Sequence, residues 1–192
     1  MGGVAPPPPP PPAMPQTLLA LCAILVFTFF AFGRVQNDAS LERRTISAEV
    51  ERALTDAARN RMAEIERAAF DEEDAGPSSG IRMAPPTSAI GRDAGETTVG
   101  AFDDLDDYND LEAVLGGPER RSAPVDAGTI EYDLTVSVRY VDPTAPGVVS
   151  SVPTMAKEVV VTTREVTTGA TGRPAAIARI RRLFTPAGMA AR

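Results

Sequence analysis

The sequence predicts an α+β protein in which one long N-terminal helix, membrane-embedded over its first half, packs on a small antiparallel β-sheet. Three observations carry this prediction. Residues 17–33, TLLALCAILVFTFFAFG, hold no charge, and neither do the 16 residues before them. Residues 39–69 are rich in Ala, Glu, Arg, Leu and Met without Gly or Pro, the composition of a stable helix. Residues 129–141, TIEYDLTVSVRYV, alternate apolar and polar side chains, the period of a strand with one buried face.

Taken in order, residues 1–15 are a Pro-rich leader or disordered segment. The seven prolines Pro6 to Pro12 favour a stiff polyproline II spacer, with a ligand for an aromatic groove as the alternative. Pro15 suits a first helical turn, where its missing N–H is no loss. Residues 16–34 form the transmembrane half of the helix. At about 1.5 Å per residue the apolar run reaches ~25 Å, slightly less than the ~30 Å hydrocarbon core. A secretory signal is the alternative, since Ala31-Phe32-Gly33 offers small residues near a cleavage point. Against it, no basic residue precedes the run, which also exceeds the usual ~7–15 residues.

Residues 35–70 are the amphipathic half of the helix. Ile46, Val50, Leu54, Ala58, Met62, Ile65 and Ala69 recur at steps of three or four and so share one face, which needs a partner surface. Without Gly or Pro between Arg34 and Ala69, the two halves read as one rod ended by Gly76-Pro77. Residues 71–128 are a loop-rich connection with an acidic segment. Residues 129–192 are the antiparallel sheet and a basic C-terminal element. A second strand is expected over 154–168, and 175–184, AAIARIRRLF, fits either a short helix or a third strand.

Composition excludes several functions. The chain carries 26 acidic and 19 basic residues, a net charge of -7, so it should repel polyanions and nucleic acid is not an expected partner. It has no His, no Trp and a single Cys, Cys22, within the apolar run. Zinc sites, Cys-His or Ser-His catalysis and dithiol redox chemistry therefore lack their parts, and no enzyme is expected.

The acidic segment 102–112, FDDLDDYNDLE, spaces Phe102, Leu105, Tyr108 and Leu111 three apart. These four are expected to clip an irregular or 3₁₀-like turn to the domain while the acids face water. Asp103, Asp104, Asp106, Asp107 and Asp110 are calcium candidates, because calcium takes about six to eight oxygen ligands. The EF-hand loop pattern is absent, and a solvated acidic turn is the favoured reading. Catalytic carboxylate pairs could also be drawn from the segment, but nothing in the sequence indicates a cleft. The basic tail, Arg173, Arg179, Arg181, Arg182 and Arg192, either meets an acidic partner surface or guards a strand edge by charge.

The order of parts resembles the type IV pilin-like family, in particular minor pilins and type II secretion pseudopilins. The likeness rests on three stretches: the apolar TLLALCAILVFTFFAFG, the segment FDDLDDYND, and the pair IEYDLTVSVRYVD and AKEVVVTT. It implies a non-enzymatic structural subunit that takes part in a pilus or secretion pseudopilus. Leu18, Leu19, Leu21, Ile24, Leu25, Phe27, Phe29 and Phe30 would form the assembly helix. The implied partners are the membrane and other pilin-like subunits or envelope proteins. The implied location is the bacterial cell envelope, with a single pass and the C-terminal head outside the cytoplasm. No cofactor is implied.

The sequence departs from that family at the leader site. Pro15 stands where the cleaved Gly would be, Gln16 where the Phe would be, and Ala20 where a Glu would pair with a neighbour's amino terminus. A stand-alone single-pass envelope protein, whose head binds a partner without any filament, is the alternative function. Arg34, Arg43 and Arg44 also pull against an outside head, since basic residues favour the cytoplasmic side.

Overall fold

A computed structural model describes residues 14–70, 86, 89–166 and 174–186. The polyproline expectation for residues 6–12, most of the 71–88 connection, and Arg173 and Arg192 of the basic tail lie outside these residues. The chain divides into two units, Met1–Thr45 and Ile46–Arg192.

Helix α1 runs over Met14–Ile65, through the apolar run and into the amphipathic stretch without interruption. In the first unit every residue from 16 to 45 is exposed. Its hydroxyls turn back on the helix itself: Thr28 donates to the Ile24 carbonyl at 2.7 Å and Thr45 to that of Leu41 at 3.1 Å.

In the second unit, α1 buries Val50, Leu54, Ala58, Met62 and Ile65, with Ile46 half-buried beside them. These are the residues that the helical spacing puts on one face. The helix stops at Ile65, four residues short of Ala69, because Ala69 leaves the helical ladder. Its N–H donates to the Asp103 carbonyl at 2.8 Å, and its own carbonyl accepts the N–H of Leu105 at 3.0 Å.

Among the described residues the sheet has five antiparallel strands: β1 (Glu119–Val125), β2 (Gly128–Asp142), β3 (Ala145–Val149), β4 (Lys157–Glu165) and β5 (Ile177–Phe184). The order is β1-β2-β4-β5, and β3 pairs with the far end of β2 through a bulge at Val141 and Asp142. Alternation along β2 sends Tyr132, Leu134, Val136, Val138 and Tyr140 inward, and β4 adds Val159 and Val161. Apart from Tyr140, these residues and the buried face of α1 make one core. Within the 175–184 stretch, Ile177–Phe184 is a strand: Ala178, Ile180 and Phe184 meet this core while Arg179 and Arg181 stay exposed.

The 71–128 connection is not loop throughout. Its last part is β1, an edge strand whose ERRSAPV sequence carries charges and Pro124, features tolerated only where one side of the backbone goes unpaired. A 3₁₀ turn at Asp107–Asp110 and the one-turn helix α2 (Leu111–Leu115) precede it. Gly116 ends α2 at φ 75°, a left-handed position that suits glycine.

Candidate functional site

Two features stand out, one in each unit. The first is the apolar surface of α1. Leu18, Leu19, Leu21, Ile24, Leu25, Phe27, Phe29 and Phe30 are each more than 60 % exposed, on every side of the helix. Soluble proteins rarely leave so large an apolar area uncovered. By length and composition this is the one helix among the described residues able to cross a membrane.

The second is the acidic segment in the head. Leu105, Tyr108 and Leu111 are buried, Phe102 is half-buried, and the Phe102 and Tyr108 rings meet edge to face at 5.4 Å between centroids, as the three-residue spacing anticipates. The acids do not all face water. Asp104, Asp106 and Asp107 are buried, against expectation. The cause is local hydrogen-bond demand, since an irregular loop leaves its backbone donors without helix or sheet partners. Asp107 Oδ2 accepts the N–H of Asp103 at 3.0 Å and of Asp104 at 3.1 Å. Asp104 Oδ1 in turn accepts the N–H of Asp106 at 2.7 Å and of Asp107 at 3.3 Å.

Two further contacts tie this loop to the sheet. Asn109 Oδ1 accepts the Val138 N–H at 3.2 Å, beyond the point where β1 stops pairing with β2. Asp106 forms an ion pair with Lys157, the first residue of β4. The Lys157 side chain is fully buried. Its Nζ also donates to the Phe70 carbonyl at 2.6 Å and lies 4.7 Å from the Phe70 ring centre and 5.5 Å from that of Tyr140.

Burial, reinforced by the charges of Asp106 and Asp107 and opposed by Lys157, pushes the Asp104 carboxyl up to about 8. Burial and a hydrogen bond with Asp107 push Glu96 up to about 7. Glu96 was not among the sequence candidates. It brings a carboxylate oxygen within 4.8 Å of those of Asp103 and Asp107.

The five calcium candidates therefore separate. Asp103 and Asp107 converge with Glu96, whereas Asp104 serves backbone donors and Asp106 faces Lys157. Asp110 lies 4.0 Å from the Arg92 guanidinium. Among the described residues three carboxylates converge, against calcium's usual shell of about six to eight oxygens.

Two arginines of the basic tail are engaged within the chain. Arg181 pairs with Glu158 and Arg182 with Glu66, so on these residues the acidic surface is the protein's own. Lys157 escaped the sequence reading, although a signal existed: it is the only lysine in the chain, against 18 arginines.

No family model, no curated protein and no solved structure matches this chain.

Proposed function

We propose that this protein is a non-enzymatic pilin-like subunit, held in the membrane by the first half of α1 and contributing its sheet head to a pilus or secretion pseudopilus. One observation carries the reading. A single helix carries an all-round apolar stretch that is exposed among the described residues and, from Ile46 on, a stripe buried against a β-sheet. Such a helix is hydrophobic all round only where lipid or other helices surround it. Thr28, the only hydroxyl between Leu18 and Phe32, donates to its own helix, which suits a medium that offers no water. The work is then architectural: lateral packing of apolar helices in a bilayer or filament core, with the head setting the surface.

Pro15 and Ala20 favour a second reading, a stand-alone single-pass envelope protein. Without a carboxylate at residue 20, a neighbour's buried ammonium would have no counter-charge, and an unpaired buried charge is costly.

Mass spectrometry of the mature N-terminus, combined with shear fractionation of cells, separates the two. A chain beginning near Gln16 in sheared material supports the filament subunit. An intact Met1 found only in membranes supports the stand-alone protein.

A further inference from the structure

We propose that Lys157 and Asp106 condense into an intramolecular isopeptide bond, joining the start of β4 covalently to the acidic loop. The pair is placed for it. The Nζ of Lys157 and a carboxylate oxygen of Asp106 are in direct contact, and the two residues are 0 % and 2 % exposed. The aromatic rings of Phe70 and Tyr140 flank the amine. Asp104 Oδ1 holds the Asp106 N–H at 2.7 Å, and with it the loop that presents the reacting carboxylate.

The choice of residue is informative. In a chain whose 18 other basic residues are all arginine, the single lysine sits opposite a buried carboxylate. For a lasting buried ion pair, arginine is the better residue, since its guanidinium binds carboxylate through two parallel hydrogen bonds and is weakly hydrated. What lysine offers in its place is an amine that can give up its proton and attack carbon.

The step balances without any outside reagent. One proton passes from the ammonium to the Asp106 carboxylate, leaving a neutral amine and a neutral acid. The Nζ lone pair attacks Asp106 Cγ, forming the C–N bond. The C–O bond to one carboxyl oxygen breaks, and that oxygen leaves as water with two of the three original ammonium hydrogens. The third stays on the amide nitrogen. Two features favour the reaction, the first by lowering its barrier and the second by stabilising its product. Well-oriented groups within one molecule react as if at effective concentrations of about 10⁵–10⁸ M. Conversion of two buried charges into a neutral amide also removes the desolvation penalty that a buried ion pair carries.

Because Lys157 is the only lysine, a lysine-specific protease provides the test. The purified full-length chain, denatured and treated with that protease, is expected to remain uncut, because an acylated Nζ is not recognised. A general digest is expected to yield the Lys157 and Asp106 peptides joined, one water lighter than their sum. The joined species should vanish in Asp106→Ala and in Lys157→Arg, the latter keeping the positive charge while lacking the nucleophile. Cleavage of the denatured wild-type chain into two fragments, with the two peptides recovered separately at their unmodified masses, overturns the proposal. Persistence of a joined product in Lys157→Arg overturns it as well.

Discussion

The hydroxyl of Thr163 on β4 donates to the backbone carbonyl of Leu54 on α1 at 3.0 Å, and both residues are fully buried. The contact joins sheet to helix at the centre of the core by a directional bond, where apolar packing alone would allow sliding. The Leu54 carbonyl also accepts along the helical ladder, so loss of the hydroxyl leaves it partnered.

Thr163→Val is therefore expected to cost only about 0.5–1.5 kcal/mol, the net worth of one hydrogen bond. Leu54→Ala, which opens a cavity in the same layer, is expected to cost about 2–5 kcal/mol. Denaturant unfolding of the detergent-solubilised chain checks both. Equal costs would mean that the hydroxyl, and not the packing, dominates this contact.

Asp104 and Glu96 give the head a pH dependence of definite sign. Burial raises their folded-state values from 3.8 to about 8 and from 4.5 to about 7. Over those ranges the folded chain binds more protons than the unfolded chain, so stability falls as pH rises. The contribution is complete below the ordinary carboxylate values and gone above the raised ones. Melting temperature is expected to drop between about pH 5 and about pH 8. Asp104→Asn keeps an oxygen to accept the two backbone N–H groups but cannot titrate, so it should flatten most of that slope. An unchanged slope in this variant would exclude Asp104 as its source.

Glu158 lies on the opposite face of the sheet from the core, yet it is 1 % exposed. Arg139 from β2 and Arg181 from β5 bracket its carboxylate, and Arg181 also donates to the Pro146 carbonyl at 2.7 Å, which ties the β3 region to β5. Glu158→Gln is expected to destabilise by about 1–3 kcal/mol, the range for a charge-assisted hydrogen bond lost at a buried site. Both arginines are about half-exposed and can turn to water, which holds the cost below that of breaking a fully buried pair. Raised salt should leave the effect nearly intact, because a buried carboxylate is poorly screened. A loss that disappears in salt would place the charge at the surface.

The helix face from Ile46 to Ile65 and the alternation of β2 were legible because each depends on a local period in apolar residues. β1 was not legible: ERRSAPV has no alternation strong enough to mark an edge strand, and only pairing with residues 128–134 of β2 reveals it. The buried acids were hidden for a different reason. A carboxylate in sequence reads as a solvated group, and its inward position follows from backbone N–H groups that become partnerless only once the loop is folded. Glu96 joins Asp103 and Asp107 through chain folding, so spacing within 102–112 could not have found it. Lys157 is different again, since its isolation among arginines stood in the sequence from the start.

The proposed anchoring function makes its sharpest prediction at Leu25, in the middle of the apolar run. An arginine at the centre of a spanning helix costs about 3 kcal/mol relative to leucine on insertion scales. The run is already slightly shorter than the hydrocarbon core, so it has little reserve to absorb that loss. Leu25→Arg is therefore expected to move the protein from the carbonate-resistant membrane fraction into the soluble or aggregated fraction. Leu41→Arg is the matched control: Leu41 is also exposed on α1, but it follows Arg34 and lies outside the uncharged run. If both substitutions release the protein equally, exposed apolar area in general holds it to membranes. If neither does, the helix before Arg34 is not what anchors it.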